Sequence, residues 1–290
     1  MPKHVFIFLQ YFTPHHWLTH FMGWLAESET PWLKNFLIKR FLKRYAVNLH
    51  EARIENPLSY SSFNQFFIRQ LKPALRTICK EPFAVSSPVD GTLTQIGSIQ
   101  TNQLLQAKNH YYDLEGILGN EKHLAKHFYN GCYATFYLAP QNYHRVHMPL
   151  DGQLEQTIYI PGRLFSVNLI TTDYVPRLFS RNERLVAVFN TEAGKMAVIL
   201  VGAMIVGNIQ TTWLKQPLRE KKIFVIPTQQ DIKLSQGAEL GYFKVGSTVI
   251  LLFEKSRIIW TPSLKASSMI HLGERLGRIN DPQSKKPYEY

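Results

Sequence analysis

Cysteine is scarce in this sequence. Its 290 residues include only Cys79 and Cys132, and these two are too far apart to form a closely spaced metal-binding or redox pair. A reduced, cytosolic setting is therefore the default expectation.

Long uninterrupted hydrophobic runs are also missing. The apolar run at residues 5–9 is short, Gln10 and Pro14 interrupt its continuation, and no small-residue cleavage site follows. The uncharged window 5–26 contains further polar side chains, including histidines, that would cost several kcal/mol in hydrocarbon. The sequence predicts neither a signal peptide nor a transmembrane helix.

Acidic residues are outnumbered by basic ones. There are 33 Lys and Arg against 21 Asp and Glu, and the net charge of +12 favours an acidic partner such as nucleic acid or an anionic membrane. The sequence has no zinc-finger spacing, no basic zipper region and no RNA-binding aromatic signature. We therefore expect a membrane partner and no nucleic acid.

Residues 30–49 have the periodicity of an amphipathic helix. Its apolar residues recur every three or four positions, at Leu33, Phe36, Leu37, Phe41 and Tyr45. Basic residues fill the other positions, at Lys34, Lys39, Arg40, Lys43 and Arg44. A second predicted helix upstream carries Trp17, Phe21 and Trp24. This pattern is typical of helices that lie in a membrane interface, and the alternative is a helix packed on the protein's own core with a solvated basic face.

After Pro82 the sequence changes to short β-rich runs separated by Gly and Pro. These runs lie at residues 92–96, 132–138, 196–209, 247–253 and 257–260, and one helix is predicted at 121–128. The pattern Pro-x-Asp-Gly-x-Leu-x-Gln occurs at 88–95 and again at 149–156. The sequence thus predicts an α+β fold, with amphipathic N-terminal helices (1–80), a pseudo-duplicated β-rich catalytic core (81–280) and a loose tail (281–290).

The bond between Gly246 and Ser247 precedes the strand-like run 247–253. Because Gly246 has no side chain, its own carbonyl, which precedes Ser247, is unshielded. The Ser247 hydroxyl could therefore attack that carbonyl in an N-to-O acyl shift. An ordinary turn before a strand is the alternative.

A serine nucleophile needs a base, and the base needs an orienting acid. His144 and His147 are candidate bases, and either Asp90 or Asp151, from the two copies of the repeat, could supply the acid. A metal site on His144 and His147 is the weaker interpretation, because no Glu lies between them and no third ligand is evident.

These segments together resemble the phosphatidylserine decarboxylase proenzymes of bacterial type. The resemblance includes the residues around Asp90, the His144 to His147 segment and Gly246-Ser247, and it extends to residues 63–73, 162–168 and 182–184 in the family's order. Val245 is a departure, because bacterial members often have Leu there, but the residue remains apolar.

The resemblance implies a self-cleaving triad in which Asp90 orients His147, His147 is the base and Ser247 is the nucleophile. It implies that the chain separates into residues 1–246 and 247–290 and that Ser247 becomes a pyruvoyl cofactor, without a metal. The mature enzyme would convert phosphatidylserine to phosphatidylethanolamine and carbon dioxide through a Schiff base. His144 is the candidate acid in that step, and Ser166 a candidate contact for the substrate head group.

We therefore expect a peripheral protein on the cytoplasmic face of the cell membrane, and a homodimer remains open. One alternative is a pyruvoyl decarboxylase of a soluble amino acid, for which the aromatic and basic N-terminus would be superfluous. The other is an unprocessed protein that binds anionic lipid.

Overall fold

The computed structural model describes residues 3–107, 110–203, 209–218, 220–228, 231–244 and 247–280. Helices dominate the N-terminal part and strands dominate the rest, which confirms the α+β class. Gly246 and the predicted loose tail 281–290 lie outside the described residues.

Three helices open the chain: α1 (Lys3–Phe12), α2 (His15–Glu27) and α3 (Pro31–Arg44). The predicted helix 30–49 is thus confirmed at its start, where Pro31 suits the first turn, but it ends at Arg44. Tyr45 is extended, and the Asn48 side chain accepts a hydrogen bond from the His50 amide to begin a separate 3-10 turn at Leu49–Glu51. The remaining helical segments are short: a second 3-10 turn (Pro57–Ser59), α4 (Phe63–Phe67), α5 (Leu114–Ile117), α6 (Lys122–His127), α7 (Leu169–Tyr174) and α8 (Leu178–Arg181).

The apolar side of α3 is divided between the protein core and the surface. Ile38 is fully buried, and the ring of Phe41 packs edge-on against Phe66 of α4 with centroids 5.9 Å apart. Trp32 and Phe36 remain 72% and 58% exposed. Phe41, predicted on the membrane-facing side, is therefore part of the protein's own packing.

The strands of the described residues fall into four sheets. The large sheet contains β2 (Gly91–Ser98), β5 (Cys132–Leu138), β7 (Gly152–Ile160), β8 (Arg184–Thr191), β9 (Gly194–Val201), β11 (Phe224–Pro227), β12 (Lys233–Leu234), β14 (Ser247–Phe253) and β16 (Ser268–Ile270). Its order is β11-β7-β8-β9-β14-β5-β2-β16, with β12 also paired to β7. One smaller sheet contains β1 (Ala84–Ser86), β15 (Ile258–Trp260) and β17 (Arg275–Ile279). A second contains β6 (Arg145–His147), β10 (Ile209–Thr211) and β13 (Glu239–Phe243). The last is a pair of strands, β3 (Gln103–Ala107) and β4 (His110–Asp113).

The centre of the large sheet is almost entirely buried. All seven residues of β14 are inaccessible, and β14 is hydrogen-bonded to β5 on one side and to β9 on the other. This burial on both faces explains the continuous apolar run at 249–253, which has no polar alternation. Ser247 is therefore the first residue of a rigid central strand.

The repeated Pro-x-Asp-Gly pattern corresponds to a repeated structure. Gly91 begins β2 and Gly152 begins β7, and each strand contains a β-bulge at the same place, between the Leu and the Gln of the motif. A shared turn, a shared strand start and a shared bulge are features that one local sequence can specify twice. The prediction of two similar turns that lead into similar strands is confirmed.

Candidate active site

The predicted site residues gather at one end of the large sheet. Ser247 is opposite Leu138, the last residue of β5, and Gly91 lies against the backbone of Tyr137 and Leu138 on the other side of that strand. A Cβ at Gly91 would be 2.6 Å from the Tyr137 carbonyl oxygen, so only glycine fits there. Because adjacent strands are about 4.8 Å apart, Ser247 and Gly91 are roughly 10 Å apart.

Ser247 is completely buried, and within the described residues its Oγ has no hydrogen-bond partner. A buried hydroxyl without a partner costs about 1–3 kcal/mol. The Oγ1 of its neighbour Thr248 is also buried and unpaired. The start of β14 thus retains unused hydrogen-bonding capacity in a well-packed region, which is typical of functional sites.

His144 lies beside this strand start. Its Nε2 donates to the Ala139 carbonyl at 3.1 Å, one residue beyond the partner of Ser247, and its ring stacks on Phe67 at a centroid distance of 4.2 Å. Because a carbonyl can only accept, Nε2 carries the proton, and Nδ1 is buried without a partner. Burial, reinforced by the charge of Arg69, lowers the pKa of His144 to about 3. The imidazole is therefore neutral near pH 7.

His147 is held by two hydrogen bonds. Its Nδ1 donates to the Gly237 carbonyl at 2.8 Å, and its Nε2 is 3.1 Å from the Tyr143 hydroxyl, which donates to it. Burial lowers the pKa of His147, while the bond to Gly237 and the charge of Glu239 act in the opposite direction. His147 is thus a neutral imidazole whose Nε2 can accept a proton.

The pairing of β6 with β13 determines which histidine is nearer to Ser247. His147 is opposite Glu239, whereas the His144 carbonyl accepts from the Phe243 amide at 3.0 Å. Glu239 and Phe243 are four residues apart, or about 13 Å along an extended strand. His144 therefore lies at the end of β13 that leads to Ser247, and His147 lies towards the other end.

Asp90 is buried and bound to a cation. Arg76 donates to its carboxylate through Nε at 3.0 Å and through Nη2 at 2.7 Å, and the Leu272 amide donates at 2.8 Å. Arg76 Nη2 also donates to Glu51 at 2.6 Å, so one guanidinium joins two carboxylates. Both nitrogens of His147 are bonded elsewhere, and the Gly237 carbonyl fixes the tautomer that Asp90 was expected to fix. Burial lowers the pKa of His147, and the charge of Asp90 is one of the smaller effects that oppose this shift.

The structure distinguishes the two aspartates of the repeat. Asp151 is exposed, and its carboxylate accepts from the Gln236 amide at 2.6 Å. Asp90, in contrast, is only 5% exposed. The sequence left this choice open, and burial favours Asp90 as the acid of the site.

Ser166 is half-buried in the loop between β7 and α7. Its amide donates to the Gln10 side chain at 2.9 Å, and its hydroxyl accepts from the Asn168 amide at 3.4 Å. Its neighbour Val167 and Thr248 both line a cavity of about 250 Å³. The Ser166 loop therefore reaches the start of β14, and the head-group contact of Ser166 stays a prediction.

Three partners in the site were not predicted from the sequence. Arg76 and Tyr143 bind the predicted acid and base, and the Gly237 carbonyl sets the tautomer of His147. The position of Tyr143 directly before His144 in the sequence could have marked it as part of the site. No sequence signal marks Arg76 or Gly237, because their contacts depend on tertiary structure.

A groove of about 1000 Å³ separates α2 from α3 near the site. Its walls include apolar side chains from both helices and from α4, among them Trp24, Leu37, Phe41 and Phe63. Arg40, Lys43, Arg44 and Lys244 also line it. Lys244 forms an ion pair with Glu27 at the end of α2. The groove therefore extends from the exposed helices to a residue that closely precedes Ser247.

The described part of the chain contains no group of three or more His, Cys, Asp or Glu residues placed to hold a metal ion. None of its helices combines the length and the apolar character that a membrane span requires.

Comparisons with known proteins assign the family. The family described as phosphatidylserine decarboxylase matches residues 63–278, and a second family, described as PSD, matches residues 5–46. The chain belongs to the phosphatidylserine decarboxylase family.

Curated relatives cover nearly the whole chain. A phosphatidylserine decarboxylase proenzyme of Saccharophagus degradans is 45% identical over 282 residues, which are 96% of this chain and 99% of that protein. The proenzyme of Pseudomonas entomophila is 47% identical over 95% of this chain and 98% of its own length. That of Pseudomonas aeruginosa is 47% identical over 94% and 96%. The family match and these relatives assign the chain to the phosphatidylserine decarboxylase enzymes.

Proposed function

We propose that this chain is a precursor that cleaves itself between Gly246 and Ser247 and then decarboxylates phosphatidylserine to phosphatidylethanolamine and carbon dioxide. The observation that carries the proposal is the buried, unpaired Ser247 hydroxyl at the start of β14, with His144 beside it and with His147 and Asp90 farther away. The relatives' names, which are those of proenzymes, agree with a chain that must be processed.

Self-cleavage uses the chain's own groups. The Nε2 of neutral His147 accepts the Ser247 proton, and the serine oxygen attacks the Gly246 carbonyl to replace the amide by an ester. Elimination across Ser247 releases residues 1–246 with a carboxylate at Gly246. The downstream chain then takes up water and releases ammonia, which leaves a ketone at residue 247. His147 must approach Ser247 for this reaction, and Tyr143 must release Nε2.

Asp90 supports the same step through its charge. As His147 gains a proton, the nearby carboxylate stabilises the cation, while Gly237 keeps the ring in one orientation. Arg76 holds the carboxylate in place, but it also neutralises part of its charge. We infer that Asp90 acts as a fixed charge and that the tautomer is set by the backbone.

The residues around position 247 fit a pyruvoyl group. The group would occupy the buried start of β14, next to the unpaired Oγ1 of Thr248 and the Nε2–H of His144. A pyruvoyl ketone supplies an electrophile for the substrate amine and a sink for the electrons released with carbon dioxide. His144 is neutral at pH 7, so it can deliver its Nε2 proton, now shared with the Ala139 carbonyl, to the substrate α-carbon only as its Nδ1 takes up a proton in return and the ring stays neutral.

The N-terminal helices provide access to a substrate that stays in a bilayer. Phe8, Phe12, Trp17 and Trp24 are each more than 60% exposed, a large aromatic surface for a helical region in water. Lys39, Arg40, Lys43 and Arg44 are exposed on α3 close to them. We assign this surface to the cytoplasmic face of an anionic membrane, with an acyl chain in the α2–α3 groove and the lipid phosphate near Arg44 and Lys244.

The proposal is tested by the release of carbon dioxide from phosphatidylserine in mixed micelles. Ser247→Ala should release none, because the nucleophile and the cofactor precursor are both lost. Ser98→Ala is the matched control, since it removes an exposed serine hydroxyl at the opposite end of the large sheet and should retain activity. Turnover by the Ser247→Ala variant would refute the proposal.

A further inference from the structure

A second cavity, of about 420 Å³, lies on the other side of α4 from the α2–α3 groove. Residue Phe63 of α4 lines the groove, whereas Gln65 lines this cavity. Three arginines line it: Arg53, Arg69 and Arg145. The other residues of its lining are uncharged: Ile54, Ser59, Tyr60, Ser61, Gln65, Ile68 and Gln70. No acidic side chain is among the described residues that form its wall.

Within the described residues, only one of the three arginines has a carboxylate partner. Arg145 donates to both oxygens of Glu239, at 2.7 and 2.9 Å. Arg53 donates to the neutral amide oxygen of Gln70 at 3.0 Å. Arg69 donates through Nη2 to the carbonyls of the 139–142 turn, at 2.7 Å to residue 141 and 3.2 Å to residue 142. The cavity therefore has an excess of positive charge.

Arg69 has the most unused hydrogen-bonding capacity. It is only 4% exposed, and its Nε and Nη1 have no partner in the described part of the chain. Burial lowers the pKa of Arg69, as expected for a cation taken from water without a full counter-charge. A buried guanidinium with two free donors is costly unless a ligand supplies the missing acceptors.

We propose that this cavity binds a phosphate group and that Arg69 and Arg53 are its anchors. Guanidinium N–H groups donate charge-assisted hydrogen bonds to phosphate oxygens, and hydroxyl and amide groups on the wall can complete the shell. A free phosphate ester and a lipid head group share this chemistry. The site does not depend on self-cleavage or on the pyruvoyl group.

The cavity is linked to His144 by the 139–142 turn, because both Arg69 and His144 donate hydrogen bonds to carbonyls of that turn. Arg69 binds the carbonyls of residues 141 and 142, and His144 binds the carbonyl of Ala139 in the same turn. A phosphate on Arg69 would therefore act on the turn that positions His144.

The test is a calorimetric titration of the purified wild-type protein, containing all of its residues, with inorganic phosphate at constant ionic strength. We expect saturable binding at one site per chain. Arg53→Gln should weaken the affinity about tenfold, equivalent to about 1.4 kcal/mol. Arg53 is mostly solvated, so this variant should fold even if Arg69→Gln, which releases the 139–142 turn, does not.

Arg177→Gln is the matched control. It removes another surface guanidinium, one that is paired with Asp113 away from this cavity, and it should leave phosphate binding unchanged. The proposal is overturned if the wild type shows no saturable binding at millimolar phosphate, or if Arg53→Gln binds as the wild type does.

Two competition arms identify the source of the phosphate. Glycerol 3-phosphate tests a soluble ester, and neutral vesicles with added phosphatidic acid test a lipid head group. Displacement of inorganic phosphate by only one of them assigns that source. Failure of both to displace it would overturn the assignment to phosphate esters and lipids.

Discussion

The pH dependence of self-cleavage should show which histidine is the base. A base must be unprotonated to accept the Ser247 proton, so the rate falls as the pH drops through the pKa of that base. Burial lowers the pKa of His144 to about 3. It also lowers the pKa of His147 from 6.5, but there a hydrogen bond to Gly237 and the charge of Glu239 oppose it.

These pKa values predict different profiles. At about pH 5, a group with a pKa of about 3 is still about 99% unprotonated, so cleavage that used His144 would be constant from there to neutrality. With His147 as the base, the rate should be constant near pH 7, because burial lowers the pKa of His147 below 6.5, and it should decline once the pH falls through that lowered pKa. The measurement is a time course of freshly synthesised precursor, sampled at several pH values on denaturing gels.

Two shape-matched substitutions complete this prediction. In His147→Asn the side-chain amide can still donate to Gly237 but cannot act as a base, so cleavage should slow by about 10²–10⁴-fold. In His144→Gln the amide can still donate to Ala139, and cleavage should continue while decarboxylation is lost. Normal cleavage by His147→Asn, together with a block in His144→Gln, would refute the argument and make His144 the base.

Three further predictions test the surroundings of the site. Arg76→Leu leaves the buried Asp90 carboxylate without its cation and should lower the free energy of unfolding by about 3 kcal/mol, measured by urea denaturation, with partial recovery when Asp90→Asn is added; no change would show that the pair contributes little. Asp90→Asn should block or greatly slow cleavage on denaturing gels, whereas Asp151→Asn should cleave normally, and the reverse result would assign the acid to the other copy of the repeat. Four basic residues of α3 can be replaced by Gln: Lys39, Arg40, Lys43 and Arg44. The variant should co-sediment less with anionic vesicles at low salt, at about 1 kcal/mol per charge, and should still cleave itself. Equal binding of variant and wild type would show that this face of α3 is not the electrostatic anchor.

Local pattern was sufficient to predict much of the fold. The apolar run of β14 and the Pro-x-Asp-Gly turns specify strands and strand starts through nearby residues alone, and the structure confirms them. What packs against Phe41 of α3 was predicted incorrectly. Helical periodicity marks the apolar face of a helix but does not show what covers that face. Both a membrane and the Phe66 ring of α4 satisfy the same pattern.

The site was predictable only in part. Ser247, His147 and Asp90 were predicted from the motifs that contain them, and those motifs are local. Their partners are not: Arg76 meets Asp90 and Glu51 only after residues distant in sequence pack together, and the Gly237 carbonyl carries no side-chain signal. Hydrogen bonds to backbone carbonyls set the tautomers of His144 and His147, and these bonds cannot be predicted from the sequence.

The most direct test of the central claim is the intact mass of the purified protein under denaturing conditions. The account predicts two chains, residues 1–246 and residues 247–290, with the second lighter than the same peptide with an N-terminal serine by the mass of one ammonia molecule. Ser247→Ala should give one chain with the mass of the full sequence. An uncleaved wild type with full decarboxylase activity, or a cut at another bond, would contradict the account.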